Sequence, residues 1–80
     1  MKIRIYLNKM ETIRRFAEIV SNFTSDVNIS KGSQIYDAKS LLALFIIDGS
    51  NGLEVQMITD DIDELKEFRE AMKEFESEDK

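Results

Sequence analysis

Four acidic side chains, Asp60, Asp61, Asp63 and Glu64, lie close together in the last third of the chain. Hard cations bind clusters of oxygen ligands, so this group suggests a metal site or an enzyme that uses one. A calcium loop, however, needs a longer defined spacing that ends in a bidentate acid. Acidic residues are also favoured at the start of a helix, where they face the positive end of its dipole. We therefore expect a helix start without a metal, and keep the metal binder or enzyme as an alternative.

The segment Asp48-Gly-Ser-Asn-Gly52 resembles part of a calcium loop in composition only. Thr59 stands where such a loop would need its glutamate. All five residues favour turns, so the sequence predicts an ordinary loop here.

Nucleophilic catalysis by serine-histidine or cysteine-histidine pairs is excluded, because the chain contains no histidine and no cysteine. Lys9 with Arg14 or Arg15 would suit a small anion, although such groups are usually a solvated surface. These residue types do not indicate a catalytic site. We expect a chain that is not an enzyme and that has no cofactor.

Composition and charge describe a small acidic domain. The 80 residues carry 16 acidic and 11 basic side chains, for a net charge of −5. Nucleic-acid binding depends on neutralising phosphates with lysine and arginine, so we expect no nucleic-acid partner. The longest apolar run, Leu41–Ile47, is too short to cross a bilayer, and no signal-peptide pattern is present. We expect one cytoplasmic domain over residues 1–76, with an acidic tail at residues 77–80.

Apolar periodicity predicts the order β-α-β-β-α-β-α. The predicted strands carry Ile3, Ile5 and Leu7; Val27 and Ile29; Gln34 to Tyr36; and Leu53, Val55 and Met57. The first and last helical stripes are Ile13, Phe16, Ala17, Val20 and Phe23, and Ile62, Leu65, Phe68, Met72 and Phe75. This order predicts an α+β open-faced β-sandwich with a four-stranded, mainly antiparallel sheet and three helices on one face.

Local signals predict where these elements begin. Asn8, with Glu11 three residues later, suggests a capping box for the first helix. Gly32 is free to take a positive φ in a hairpin turn. Thr59 or Asp60 is expected to cap the last helix.

The apolar run Leu41–Ile47 shows no clear period. Ser40 in front of leucine and alanine favours an N-cap and a short helix, and a buried strand is the competing interpretation. A short helix cannot bury seven consecutive apolar side chains, so some must be exposed or covered by another molecule. Binding of a protein partner, a homodimer contact and ordinary core packing are the three interpretations, and the chain is expected to be a monomer or a homodimer.

Two central segments resemble the histidine-containing phosphocarrier (HPr) family. The stretch Ala38-Lys-Ser-Leu-Leu-Ala-Leu-Phe45 is similar to the family's AKSIMGVM stretch, and Gly52-Leu-Glu-Val-Gln-Met57 is similar to its GxxIxI stretch. The spacings fit without gaps, and the resemblance covers residues 2 to 75 of the 80. It implies an HPr-like fold, and partners that are phosphotransferase-system proteins or enzymes regulated by that system.

The family's GLHARPA motif is not kept. In the same register Lys9 occupies the histidine position, Glu11 the arginine position and Thr12 the proline position. A phosphocarrier needs a neutral imidazole nitrogen as nucleophile and a cation for the phosphoryl oxygens. Lysine is mostly protonated near neutral pH, and glutamate repels phosphate. We therefore expect a non-catalytic HPr-like interaction or regulatory module rather than a histidine phosphocarrier.

The resemblance also implies candidate site residues in the short helix. Leu42 and Phe45 match family positions whose apolar side chains stand outward and contact partner proteins, and Leu41, Leu44 and Ile47 would then point inward. With a polar rim, the expected partner-binding residues are Leu42, Phe45, Lys9 and Lys39.

Ser40 matches the family's second phosphorylation site, a serine that a dedicated kinase modifies. A phosphate at a helix N-terminus is stabilised by the dipole and by free amide hydrogens. A regulatory switch phosphorylated at Ser40 is therefore an alternative function. The competing interpretation of Ser40 is an N-cap serine that is never modified.

Overall fold

Strands and helices follow one another along the chain in the predicted order, β-α-β-β-α-β-α. The computed structural model describes residues 1–77, so residues 78–80 of the expected acidic tail lie outside the described range. The elements are β1 Ile3–Leu7, α1 Met10–Ser21, β2 Asp26–Lys31, β3 Gln34–Asp37, α2 Leu41–Ile46, β4 Gly49–Ile58 and α3 Ile62–Met72, followed by a 3-10 turn at Lys73–Phe75.

The four strands form one sheet in the order β1-β4-β2-β3, and every neighbouring pair is antiparallel. Val55, near the centre of β4, pairs with Ile3 on one side and with Ile29 on the other. The β2–β3 hairpin turns at Gly32, whose φ of 61° lies in the left-handed region that favours glycine. The predicted α+β open-faced fold is confirmed.

β4 begins four residues earlier than predicted, at Gly49 instead of Leu53. The predicted loop is wrong because Gly49 pairs with Leu7 of β1, while Leu53 pairs with Ile5. Two steps along β1 therefore lie opposite four along β4, which makes a bulge. A Cβ on Gly49 would lie 3.0 Å from the Cβ of Leu7, so a small residue permits this approach. Strand pairing thus outweighs the local turn preference of this segment.

The helices pack on one face of the sheet and enclose a single apolar core. The buried core side chains are Ile5, Leu7, Phe16, Val20, Val27, Ile29, Ala38, Leu44, Ile47, Leu53, Val55, Met57, Phe68, Met72 and Phe75. Two edge-to-face aromatic pairs join α1 and the turn that follows it to the C-terminal helical segment. The ring centroids are 5.5 Å apart for Phe16 and Phe75, and 5.6 Å apart for Phe23 and Phe68. Such a pair adds about 1 kcal/mol beyond the area that it buries.

α1 is capped by Lys9, one residue later than predicted. The backbone of Lys9 is extended, with φ −138° and ψ 153°, and its side chain makes no capping hydrogen bond. A lysine side chain carries no acceptor, so it cannot fill this role. The predicted N-cap at Asn8 is therefore one residue too early, and Glu11 stands in the first turn of the helix.

α3 is capped by Asp61 instead of Thr59 or Asp60. The Oδ1 atom of Asp61 accepts hydrogen bonds from the amides two and three residues later, at 3.0 and 3.2 Å. The Thr59 hydroxyl instead accepts from the amide of Asp61 at 3.0 Å. Ile62 was predicted to join the apolar stripe, but it is 67% exposed because the stripe meets the core only further along the helix.

Candidate functional site

The apolar run folds as the short helix α2 instead of a strand. The backbone of Ser40 is extended, with φ −86° and ψ 110°, and its Oγ accepts a hydrogen bond from the amide of Ala43 at 3.3 Å. The helix ends at Ile46, and Ile47 returns to an extended conformation. A helix of six residues is too short to be stable alone, so α2 depends on packing against the rest of the molecule.

The buried face of α2 is centred between Ala43 and Leu44. These two residues and Ile47 are at most 7% exposed. Leu41, which was expected to point inward, is 51% exposed, so that prediction is wrong. The physical reason is a rotation of the helix that places the small side chain of Ala43 inward, which turns Leu41 away from the core.

The opposite face of α2 leaves four large apolar side chains open to solvent. They are Leu41, Leu42, Phe45 and Ile46, and they form what we call the α2 patch. Leu42 is 71% exposed and Phe45 is 46% exposed, as the sequence led us to expect, whereas Ile46 was not singled out and is 61% exposed. Their role in partner binding stays a prediction.

A shallow depression of about 310 Å³ borders the C-terminal end of the α2 patch. Phe45 and Ile46 line one side of it, and Lys9 and Met10 line the other. Met10 is 53% exposed and extends the apolar surface across to α1. Met10 was not predicted from the sequence, because its spacing from Ile13 on the same helix does not distinguish an exposed side chain from the buried stripe.

The two expected rim lysines lie at opposite ends of the α2 patch. Lys9 borders the depression at the C-terminal end of the helix, whereas Lys39 precedes its N-terminal end. The Nζ atom of Lys39 donates a hydrogen bond to the carbonyl oxygen of Phe23 at 2.6 Å, which holds this cation against the end of α1. The structure therefore places the four expected residues along one surface, with a cation at each end.

A second depression lies beside the first turn of α1, the position that the sequence resemblance aligns with a phosphoryl site. Lys9, Glu11, Thr12, Arg15 and Glu74 are among its lining residues. The guanidinium of Arg15 donates two hydrogen bonds to the carboxylate of Glu74, at 2.5 and 3.0 Å. These bonds raise the pKa of Arg15, and they give its charge a counter-ion within the chain. The small-anion arrangement of Lys9 with Arg15 is thus already occupied by Glu74.

Glu64, from the acidic group near α3, is held by the two neighbouring loops. Its carboxylate accepts hydrogen bonds from the hydroxyl and the amide of Ser25, the latter at 3.3 Å. It also accepts from the amide and hydroxyl of Thr24, both at 3.2 Å, and from the hydroxyl of Thr59 at 3.0 Å. The Ser25 hydroxyl is the largest of the causes that lower the pKa of Glu64. Within residues 1–77 no three His, Cys, Asp or Glu side chains gather as a metal ligand set.

Asp48 follows α2 and binds its own loop. Its Oδ1 atom accepts hydrogen bonds from the amide and the hydroxyl of Ser50, at 3.0 and 2.7 Å. The Nζ atom of Lys31 lies 3.8 Å from its Oδ2 atom and donates to its carbonyl oxygen at 2.9 Å. The hydrogen bonds from Ser50, followed by the charge of Lys31, lower the pKa of Asp48. These contacts stabilise the start of β4.

Comparison with known proteins agrees with this architecture. The family model described as the PTS HPr component phosphorylation site matches residues 10–77. The chain belongs to the HPr family. A solved structure, HPr-C-His from Thermoanaerobacter tengcongensis, shares the fold with a TM-score of 0.69 and 16% sequence identity, and the alignment covers 91% of each chain. No curated protein matches the sequence.

Members of the HPr family are phosphocarriers rather than classical enzymes, and they interact with proteins of the phosphotransferase system. In this HPr-family chain the match to the family model begins at residue 10, one residue after Lys9, the residue that the sequence resemblance aligns with the family's histidine. The 80 residues contain no histidine. In the part of the chain that the structure describes, no helix combines the length and apolar character needed to cross a membrane.

Proposed function

We propose that this HPr-family chain is a cytoplasmic docking or regulatory module that binds a protein partner through the α2 patch. In this proposal it does not carry phosphate on histidine. The observation that supports it most directly is a six-residue helix that exposes four large apolar side chains beside an altered phosphoryl position. An exposed apolar patch with polar residues at its rim is typical of an interaction site.

The residues at the phosphoryl position support the non-catalytic half of the proposal. Lys9 places an amine where a phosphocarrier needs a neutral imidazole nitrogen as its nucleophile. Glu11 in the first turn of α1 repels an incoming phosphoryl group. Arg15 is paired with Glu74, so its charge is partly neutralised. The nucleophile and the anion site are therefore both altered.

The side chains of the α2 patch support the docking half. Burying a leucine or phenylalanine side chain contributes about 1.5–3 kcal/mol, so Leu42 and Phe45 together supply enough free energy to anchor a partner. Lys39 uses one of its three N–H donors on Phe23, which leaves two for the rim of an interface. By family, the expected partner is a phosphotransferase-system protein or an enzyme regulated by that system.

The test compares two charge-matched double variants of the folded protein. Leu42→Asp with Phe45→Glu alters the α2 patch, and Ile35→Asp with Ile62→Glu alters two exposed isoleucines elsewhere. Each protein is used for affinity capture from native cytosol and for titration with purified phosphotransferase-system proteins. We expect the patch variant to lose affinity by about 100-fold or more, because two anchors are removed, while the control binds like the wild type.

Thermal unfolding of both variants establishes that they are folded before binding is compared. A folded patch variant that keeps every interaction of the wild type would show that the α2 patch is not the docking surface. Loss of binding in both variants would assign the effect to added negative charge instead of to the patch.

We also propose a second candidate function, a phosphorylation switch at Ser40. The supporting observation is that Ser40 is only half-buried and directly precedes Leu41 at the edge of the α2 patch. A phosphate there would add about two negative charges next to apolar anchors and would change partner choice. Mass spectrometry of extracts from cells grown on varied carbon sources should find a phosphorylated peptide that spans Ser40. Complete coverage of that peptide in unmodified form alone would contradict the switch.

A further inference from the structure

The α2 patch has a symmetry that binding to an unrelated protein would not need. Its members stand at positions 41, 42, 45 and 46, evenly arranged about the midpoint between Ala43 and Leu44. A two-fold axis through that midpoint, perpendicular to the helix, places Leu41 of one copy near Ile46 of a second copy, and Leu42 near Phe45. A two-fold interface requires a self-complementary surface of this kind.

The charges that flank α2 follow the same symmetry with opposite signs. Lys39 lies two residues before the helix, and Asp48 lies two residues after it. The same axis brings Lys39 of one copy towards Asp48 of the other, and this happens twice in a dimer. Lys39 has N–H donors beyond the one bound to Phe23, and the Asp48 side chain is 64% exposed. Lys31 lies 3.8 Å from the Oδ2 atom of Asp48 within the chain, and the carboxylate remains open to a further cation on its exposed side.

The area of the α2 patch sets the expected strength of such a contact. Its four side chains are between 46% and 71% exposed, which leaves roughly 500 Å² of apolar surface open. Two copies that also bury Met10 and the polar rim would cover on the order of 1,200 Å² in total, the lower limit for a stable specific interface. An interface of this size belongs to the weak, transient class, so we expect self-association to be reversible and to depend on concentration.

We propose that two copies of this chain associate in an antiparallel, two-fold arrangement through the α2 patch, with a Lys39–Asp48 pair at each end. This dimer rests on the proposed function, because it uses the same α2 patch, and it adds a way in which docking could be regulated. A dimer covers the anchors that a protein partner would use, so self-association and partner binding compete. The concentration of free monomer then determines how much docking surface is available.

The first experiment is sedimentation equilibrium of the purified protein alone, from about 10 to about 1,000 µM. The mass of the wild type should rise from 9.3 kDa towards twice that value. Leu42→Asp should remain monomeric throughout, whereas the control Ile35→Asp, which adds the same charge on β3, should associate like the wild type. A wild-type mass that stays at 9.3 kDa across the range would overturn the proposal.

This outcome is independent of the proposed function, because no partner protein is present. A monomeric wild type that still loses its partner in the patch variant would leave the docking module standing and remove only the dimer. Suppose instead that the wild type dimerises, that Leu42→Asp is monomeric, and that no partner depends on the α2 patch. The dimer would then stand, and the docking module would be removed.

The second experiment tests the antiparallel arrangement by charge reversal. Lys39→Asp and Asp48→Lys should each weaken self-association about tenfold, because each places two like charges at both ends of the interface. The combined variant should return to within about threefold of the wild type. A combined variant as weak as the sum of the two single changes would overturn the pairing of Lys39 with Asp48.

Asp48 also binds Ser50 within its own chain, so thermal unfolding must show that each variant is folded. Should Asp48→Lys unfold, Asp48→Asn takes its place. Combined with Lys39→Asp, it should recover part of the lost affinity, since it removes the repulsion between positions 39 and 48. No recovery in that pair would count against the arrangement in the same way.

Discussion

α2 and the first turn of α3 both begin at a capping side chain, yet their surroundings differ. At the start of α3, Asp61 caps the helix, and Glu64 accepts five hydrogen bonds from Thr24, Ser25 and Thr59. At α2, Ser40 caps one amide, and the helix then exposes the four apolar side chains of the α2 patch. The polar groups of α3 find their partners inside the chain. The apolar side chains of the α2 patch instead face solvent, which is why the patch, and not the acidic group, is the candidate site.

The largest expected effect is the difference in the free energy of unfolding between substitutions on the buried and the exposed face of α2. Leu44→Ala should lower the free energy of unfolding by about 3 kcal/mol, because a side chain that is 1% exposed leaves a cavity in the core. Leu42→Ala, at 71% exposure, should change it by less than about 0.5 kcal/mol. Urea unfolding of both variants measures the difference. Similar losses would mean that the α2 patch supports the fold, and the contrast with α3 would no longer hold.

The second-largest expected effect is the stability lost when the capping side chain of α3 or of α2 is removed. Asp61 accepts two amide hydrogen bonds at 3.0 and 3.2 Å, whereas Ser40 accepts one at 3.3 Å. Asp61→Ala should therefore lower the free energy of unfolding by about 1.5 kcal/mol and Ser40→Ala by about 0.5 kcal/mol. Asp61→Asn keeps an acceptor and should stay close to the wild type. A larger loss for Ser40→Ala would reverse the comparison and make α2 the more strongly capped helix.

The smallest change in the free energy of unfolding at neutral pH is expected for Glu64→Gln, because the glutamine side chain keeps one carbonyl acceptor. Hydrogen bonds in the folded protein lower the pKa of Glu64 below its unfolded value. The ionised carboxylate therefore contributes stability above the unfolded pKa, and this contribution is lost as the pH falls through the folded pKa.

Urea midpoints of wild type and Glu64→Gln, measured from pH about 7 to about 3, should converge as the pH falls. Glu67→Gln, at an exposed position of the same helix, serves as the control and should parallel the wild type. Asp48 also has a lowered pKa, so the Glu64→Gln variant should keep part of the acid dependence. A constant gap between wild type and Glu64→Gln would show that Glu64 acts through packing instead of through its charge.

The candidate site was only partly predictable. Leu42 and Phe45 followed from the family resemblance, and Ser40 from its position before an apolar run. The rotation of α2 was not predictable, because a continuous apolar run has no periodicity to distinguish one face from the other. Leu41 was therefore assigned to the wrong face. Ile46 and Met10 were missed, since their exposure depends on how α2 lies against α1.

The sequence by itself determined the order of the elements, the hairpin at Gly32, the α+β class and the absence of histidine from these 80 residues. These features depend on residue type and on patterns that repeat within a few positions. Tertiary structure decided the features that depend on distant segments. Gly49 became strand because Leu7 of β1 pairs with it, and Glu64 found Thr24 and Ser25 about forty residues away. The exposed face of α2 was settled in the same way, because only contact with the core could choose which apolar side chains of a uniform run would be buried.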